Sequence, residues 1–365
     1  MCITTALSMP ARSSLNEDAE DDTTKKYRYN IHNIIQIESD FVLEIPSQFL
    51  RWNQAQDKRN DIHIYVREID TIEEDYSRVG DIYFWSDCNQ SICVDWSEKG
   101  FGWPEARAKI SNLSGSTDLV VNKSFLQKGD VTELVMSIIR YKLWVENATL
   151  IHAAGVVNGR NEGVLIHGFS NMGKSSTALL MTDEYDFSLL GDDSVIVQDQ
   201  TVYSFPRPVG VSPGTLLPSN VLNKKERVRY ELNKLLGKFP GAVLPIYPST
   251  RMKIAPDRVA KLVKSATPAY NIYLEPPSKS VDYQEIDSEK SKERAAIASY
   301  FDGDGAVSKL HHLVRKAIYL DEDITSSILD KHRSIIRDFF KSVDSFEVRT
   351  EKGDYSKTIY DITSS

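Results

Sequence analysis

Residues 168–175 read Gly-Phe-Ser-Asn-Met-Gly-Lys-Ser, the complete GxxxxGK[ST] pattern of a phosphate-binding loop. The preceding segment Gly163–His167 is apolar and predicts a short buried strand, and Ser176–Met181 predicts the first turns of a helix. A loop between a strand end and a helix N-terminus directs several backbone N–H groups at one point, where the helix dipole adds partial positive charge. We therefore expect an α/β unit with nucleotide bound at the carboxyl end of this strand.

The loop supplies the contacts that a nucleotide and its magnesium ion require. Lys174 is expected to reach the β- and γ-phosphates, and the Ser175 hydroxyl is expected to bind Mg²⁺. ATP and Mg²⁺ are accordingly the predicted cofactors. The predicted nucleotide-binding residues belong to the loop and the first helical turn: Gly168, Ser170, Asn171, Met172, Gly173, Lys174, Ser175 and Ser176.

An acidic pair lies one helix downstream of the loop. Phe187–Gly191 predicts a second buried strand, which ends on Asp192 and Asp193. A carboxylate at the tip of a strand beside a phosphate loop can hold Mg²⁺, and a second one can act as a general base. The structural alternative is a turn that caps the hairpin predicted for 194–205. The position of the pair, one helix and one strand after the loop, favours the catalytic interpretation.

Three segments together resemble a known family: Ile151–Val157, Gly163–Ser176 and Leu190–Val197. They are similar to the C-terminal domain of HPr kinase/phosphorylase and its kinase-like relatives, a fold related to the nucleotide core of phosphoenolpyruvate carboxykinase. The resemblance covers Leu150 to about Pro208. It implies Asp192 as the base toward a hydroxyl substrate, Asp193 as the metal-side carboxylate and His152 as a residue near the reacting phosphate. A buried core histidine is the structural alternative for His152.

The resemblance implies a Mg·ATP-dependent kinase that phosphorylates a Ser-type hydroxyl of a protein, peptide or small molecule. The chain departs from the family in having Asn171 where relatives usually carry Gly, and in lacking a counterpart of the later Gly-Arg-Asn segment. HPr therefore need not be the acceptor. The alternative function is a P-loop NTPase switch with water as acceptor, and a weaker one is a nucleotide-binding pseudo-enzyme. No Asn-Lys-x-Asp motif of GTPases is present, and the Leu113–Gly115 tripeptide precedes the loop, unlike the ABC signature.

Cations downstream of the acidic pair are candidates for completing the site. Arg207 follows the predicted hairpin and is the predicted catalytic cation, with Arg251 and Lys253 as further candidates. Ser219–Gly237 predicts an amphipathic helix with a basic face. A solvated surface helix is the simpler interpretation of this segment, and a lid that contacts substrate is the alternative.

The fold class predicted for the chain is α/β, with a P-loop kinase core of the HPr-kinase/PEP-carboxykinase-like type, an N-terminal β-rich domain and C-terminal helices. Residues 1–25 are polar and acidic and predict a disordered tail. Residues 26–128 alternate apolar and polar side chains and predict the β-rich domain, 129–290 the nucleotide-binding core, and 291–365 a C-terminal helical region and tail.

Composition excludes several classes of partner. A net charge of −8 argues against nucleic acid as an electrostatic partner. The sequence has no apolar run of membrane-spanning length and no signal-peptide pattern, and its 3 cysteines have no disulfide or zinc spacing. These features predict a cytoplasmic protein without a membrane partner. The expected partners are a nucleotide and a hydroxyl acceptor, and homo-oligomerisation stays open.

Overall fold

The computed structural model describes residues 26–51, 60–69, 77–79, 82–86, 91–95, 106–128, 131–169, 172–211, 215, 217, 221–236, 252–278, 281–301, 322–351 and 355–364. The predicted tail at 1–25, the loop residues Ser170 and Asn171, and Arg251 lie outside the described residues.

The N-terminal part of the chain forms an open sheet, as its alternating pattern predicts. Its strands are β1 (Tyr27–Ile31), β2 (Ile35–Ser39), β3 (Leu50–Arg51), β4 (Ile62–Val66), β5 (Ser77–Val79), β6 (Ile82–Ser86), β7 (Ile92–Asp95), β8 (Arg107–Ser111) and β9 (Thr117–Val121). Their order in the sheet is β3-β1-β2-β4-β9-β8-β7-β6-β5. The pairs β2–β4 and β4–β9 are parallel, and the flanking pairs are antiparallel.

Two helices, α1 (Lys123–Lys128) and α2 (Val131–Val145), lead from this sheet to the second one. Leu134 and Ile138 of α2 are fully buried at helical spacing against the N-terminal sheet. The same apolar cluster includes Ile196 and Phe205 from the second sheet. The N-terminal sheet therefore shares its core with the part of the chain that carries the acidic pair.

The second sheet contains the strands that the sequence predicts before and after residues 168–175. Its strands are β10 (Ala148–Ile151), β11 (Ala154–Val157), β12 (Glu162–His167), β13 (Ser188–Gly191), β14 (Val195–Gln198), β15 (Thr201–Ser204), β18 (Ser265–Leu274), β19 (Asp282–Glu285) and β20 (Asp344–Arg349). The order is β10-β14-β15-β18-β12-β11-β13, with β20 also beside β18 and β19 beside β20. The strands β12, β18 and β20 run parallel, so their carboxyl ends meet at one edge. A separate pair joins β16 (Val209–Val211) to β17 (Met252–Ile254).

Helices cover both faces of the second sheet, which gives a mixed α/β fold. The remaining helices are α3 (Lys174–Glu184), α4 (Lys224–Leu236), α5 (Ser288–Phe301), α6 (Glu322–Phe339) and α7 (Ser356–Ser364). On one face α3 packs with α7, where the rings of Tyr185 and Tyr360 stack at 4.3 Å. On the other face Ala295 of α5 and Ile336 of α6 are fully buried. Among the described residues, no helix is both long and apolar enough to cross a membrane.

Strand β20 is a structural element that the sequence analysis did not anticipate within the C-terminal region. Its Glu347 is only 4% exposed, yet it receives Lys290 at 3.0 Å and Arg294 at 2.6 Å. A buried carboxylate is tolerated in a strand only when such partners compensate its lost hydration. These partners lie on α5, far from β20 in the sequence. The local pattern of Asp344–Arg349, which contains several polar residues, therefore did not predict a strand.

Candidate active site

The segment after β12 connects a strand to a helix, as the sequence predicts. The strand ends at His167, and helix α3 begins at Lys174. Gly173, directly before the helix, has a φ of 95°, a left-handed conformation that favours glycine. Gly168 lies against β18, because a Cβ added there would be 3.2 Å from the Cβ of Leu274. The first turn of α3 therefore points its backbone N–H groups into the space enclosed by the loop.

Lys174 bends back across the loop. Its Nζ donates to the carbonyl oxygen of Gly168 at 2.6 Å, and the residue is 8% exposed. A phosphate is a charged and therefore stronger acceptor than a carbonyl. The lysine is thus a cation held at the loop, where a phosphate group can compete for it. Beside it, Ser176 is buried and Ser175 is half-buried.

Asp192 follows β13 and is buried, with 5% of its surface exposed. The pKa of its carboxyl is raised from 3.8 to about 6, chiefly by burial and also by the charge of Asp193. The nearby Ser175 hydroxyl, the Gly210 backbone and the charge of Lys174 act in the opposite direction. Within the described part of the chain, its Oδ1 atom has no hydrogen-bond partner. Asp192 therefore faces the hydroxyl predicted to bind Mg²⁺ and keeps one oxygen available.

Asp193 has a more accessible position and a different neighbour. Its Oδ1 atom lies 3.5 Å from Nδ1 of His152, and the two side chains are 44% and 13% exposed. The strand pairing explains this proximity, since Gly155 on β11 is the register partner of Gly191 on β13. His152, two residues before β11, and the residues after β13 consequently meet at one edge of the sheet. The structure therefore brings together His152 and the acidic pair.

His167 is a buried ionisable residue that the sequence analysis did not single out. It is 1% exposed and stacks on Tyr273 at 5.0 Å. Burial, together with the charges of Lys174 and His152, lowers its pKa to about 3. The ring is therefore neutral at physiological pH and adds no positive charge behind the loop. Its place directly before Gly168 was the one sequence signal that could have identified it.

The segment after β15 passes next to Asp192. The Phe205 N–H donates to the Leu190 carbonyl at 3.1 Å, and Gly210 faces Asp192. Arg207 lies on this segment and is half-buried. Lys253 on β17 contacts Glu44 of the N-terminal part at 3.8 Å. Both candidate cations are therefore close to the acidic pair along the chain path, Arg207 on this segment and Lys253 opposite Gly210 on β17.

The residues at the loop have the chemistry that a magnesium nucleotide requires. Among the described residues, no group of three or more His, Cys, Asp or Glu side chains could hold a metal ion. Mg²⁺ typically binds one or two carboxylates and keeps its other positions for water and substrate phosphates. The Oδ1 atom of Asp192, which has no hydrogen-bond partner among the described residues, and the nearby Ser175 hydroxyl form a donor set of this kind.

Comparisons with known proteins do not identify the function of the chain. No protein-family model matches the chain, and no curated protein matches it. Among solved structures, an HPr(Ser) kinase/phosphatase from Coxiella burnetii is similar at 17% identity and a TM-score of 0.21. The match covers 38% of this chain and 77% of that chain. A likeness of this size does not assign the chain to a family, so its function rests on the residues around Lys174 and the acidic pair.

Proposed function

We propose that this protein is a Mg²⁺- and ATP-dependent kinase that transfers the γ-phosphate to a hydroxyl acceptor. The observation that carries the proposal is that the two aspartates beside the loop have different surroundings. Asp192 is buried next to Ser175, whereas Asp193 is 44% exposed and lies 3.5 Å from His152. One carboxylate is thus on the phosphate side of the site, and the other is on a side that an acceptor can reach.

These contacts support a division of roles opposite to the one that the resemblance implies. Ser175 is the predicted Mg²⁺ ligand, so the carboxylate next to it, Asp192, belongs to the metal side. Asp193, with His152 beside it, is then the general base. When bound, Mg²⁺ neutralises charge on the β- and γ-phosphates. Ser175 and Asp192 are the side chains that would hold it.

The residues of the chain then act as follows. Lys174 leaves the Gly168 carbonyl for the β- and γ-phosphates, with Arg207 as a second cation. Asp193 accepts the proton of the acceptor hydroxyl as its oxygen bonds to the γ-phosphorus. The bond between that phosphorus and the bridging oxygen breaks, and ADP leaves. His152 orients the Asp193 carboxylate. Positioning and charge neutralisation supply most of the acceleration in such reactions.

Transfer of label from γ-³²P-ATP tests the proposal. The protein is incubated with Mg²⁺ and, separately, with free L-serine, glycerol, a Ser-containing peptide and dephosphorylated casein. Label on an acceptor, absent for Lys174→Ala, is the expected result. Steady phosphate release that no acceptor changes would replace the kinase proposal with an NTPase switch. Binding of ATP without its consumption would favour the nucleotide-binding pseudo-enzyme.

The two aspartates are distinguished by their magnesium dependence. Asp192→Asn should raise the Mg²⁺ concentration needed for half-maximal nucleotide binding. Asp193→Asn should leave that concentration unchanged and abolish transfer, because it removes the base alone. The opposite pattern would restore the assignment of Asp192 as base and Asp193 as metal ligand.

A further inference from the structure

Helix α4 turns aliphatic side chains outward. Val228 is 69% exposed and Leu232 is 51% exposed, and they lie one turn apart on the same face. The opposite face carries Glu226, Tyr230 and Asn233, of which Asn233 is only 5% exposed. An amphipathic helix ordinarily buries its aliphatic stripe. The reversed orientation therefore indicates a face that another segment covers.

Contacts on the inner face fix this orientation. Arg258 donates to both carboxylate oxygens of Glu226 at 2.8 Å and to the Val221 carbonyl at 3.0 Å. The Tyr230 hydroxyl donates to the Thr215 carbonyl at 3.2 Å. Rotating the helix to bury Val228 would break the hydrogen bonds of Glu226 and Tyr230. The outward stripe is consequently a stable property of the fold.

The outward face is also basic, in a chain whose net charge is −8. Its exposed acidic residue, Glu231, is outnumbered by exposed cations. These cations are Lys224, Lys225 and Arg229. Complementary charge selects partners at such a surface. The α4 face, defined by these cations together with Val228 and Leu232, therefore fits a segment that is acidic and contains apolar residues.

The chain itself contains such a segment. Residues 17–22 read Glu-Asp-Ala-Glu-Asp-Asp, and the aliphatic side chains of Leu7, Met9 and Leu15 precede them. This segment belongs to residues 1–25, which lie outside the described part of the chain. It combines the charge and the apolar side chains that the α4 face requires.

The described residues show where this segment joins the fold. Lys26 forms an ion pair with Asp40 on the N-terminal sheet. In the loop after that residue, Glu44 contacts Lys253 of β17 at 3.8 Å. The turn after β17 carries Arg258, which holds Glu226 of α4. A continuous series of contacts thus links the start of the described chain to α4.

The tether between this segment and the described fold is short. An extended chain spans about 3.3 Å per residue, so Asp22 and Glu17, which precede Lys26 by four and nine positions, reach up to about 13 Å and about 30 Å from it. A short tether of this kind gives the segment an effective concentration on the order of millimolar at surfaces within that reach. Even weak docking of this segment through charged and apolar contacts is then populated.

We propose that the acidic segment Glu17–Asp22 docks within the same molecule on the α4 face, with Val228 and Leu232 covered by the apolar residues that precede it. The docked segment shields this basic face from other acidic proteins. This inference does not depend on the proposed catalytic activity, and its test measures no turnover.

Carbodiimide cross-linking of the full-length chain tests the docking. The reagent joins carboxylates to lysine amines in direct contact, and mass spectrometry identifies the linked peptides. Links from residues 17–22 to Lys224 and Lys225 are expected. Their yield should fall roughly fivefold when NaCl is raised from about 0.05 M to 0.5 M, because salt shortens the range of the attraction.

Two pairs of variants separate docking from random contact. Val228→Ser with Leu232→Ser, and separately Lys225→Glu with Arg229→Glu, should reduce the links to the remaining lysines. Val281→Ser, at a position 60% exposed outside α4, is the matched control and should leave them unchanged. Links spread evenly over exposed lysines such as Lys357 would overturn the proposal. So would links that form only between isotopically labelled and unlabelled chains, since these would identify a second copy as the occupant.

Discussion

The Nζ atom of Lys174 donates a hydrogen bond of 2.6 Å to the carbonyl oxygen of Gly168, so the lysine closes the loop to which it belongs. The two residues are the first glycine and the lysine of the GxxxxGK pattern, and six positions separate them. Phosphate binding is therefore expected to exchange one acceptor of this ammonium group for a more negative one.

Replacing Lys174 by Ala should weaken ATP binding about 100-fold, in line with the loss of charged hydrogen bonds to phosphate. Calorimetric titration with ATP and Mg²⁺ measures the change. Lys357→Ala, at an exposed lysine on α7, is the matched control. An unchanged dissociation constant for Lys174→Ala would remove the loop from the proposed nucleotide site.

Replacing His152 by Ala should lower kcat roughly tenfold or more while leaving the affinity for ATP unchanged, because His152 orients Asp193 rather than contacting nucleotide. Single-turnover label transfer and a separate ATP titration provide the two readouts. If the variant loses stability and affinity together and its kcat stays intact, His152 is a packing residue of the core.

Replacing Asp192 by Asn should stabilise the protein at pH 7.5. The folded-state pKa of about 6 lies above the ordinary value of 3.8, so the folded state retains a proton that the unfolded state has released between these pH values. The free energy of unfolding of the parent therefore falls as pH rises through this window, and the cost persists above it. The expected gain for the variant is on the order of 3 kcal/mol.

Urea unfolding at pH 7.5 and near pH 3.5 measures this gain, which should nearly vanish at the lower pH because Asp192 is then protonated in the folded state and mostly protonated in the unfolded state. The exposed Asp282→Asn is the control and should show little effect at either pH. An equal gain in the free energy of unfolding at both pH values would mean that the charge of Asp192 does not cause the stabilisation.

Replacing Gly191 by Ala should disrupt the acidic pair. The added Cβ would lie 2.3 Å from the Ser194 carbonyl oxygen and 3.3 Å from that of Phe205. Both are backbone atoms, so the strand end must shift, at a cost of roughly 1–3 kcal/mol. Gly159→Ala is the matched control, since nothing lies within 4 Å of its Cβ. Gly191→Ala should have a lower unfolding temperature and slower label transfer than Gly159→Ala. Equal values for the two variants would contradict the expected shift of the strand end.

Replacing Phe49 by Ala should reduce both stability and activity. Phe49 is 4% exposed, and its ring stacks on Phe205 at 5.7 Å. Phe205 in turn bonds to Leu190, close to Asp192. The expected loss is about 3 kcal/mol in the free energy of unfolding. Urea unfolding and label transfer are the measurements, with the exposed Val42→Ala as control. Loss of stability without loss of activity below the unfolding transition would show that the N-terminal sheet does not support the site.

The local parts of the site could be predicted from the sequence. The strand β12 and the helix α3 that flank the GxxxxGK[ST] segment follow from short-range patterns. The same holds for strand β13, which leads to Asp192 and Asp193. Other features depended on contacts between distant residues. Examples are the proximity of His152 to Asp193, the buried ring of His167 and the strand β20.

The sequence by itself predicted an α/β unit with a lysine and a serine where a strand passes into a helix and two aspartates at the end of a later strand, because each of these features is encoded by contiguous residues. Only the tertiary structure decided which aspartate is buried against Ser175 and which faces His152, and it placed the N-terminal sheet against Phe205. Burial and pairing are set by strand register and packing across the whole chain. These depend on residues far apart in sequence, which no local pattern encodes.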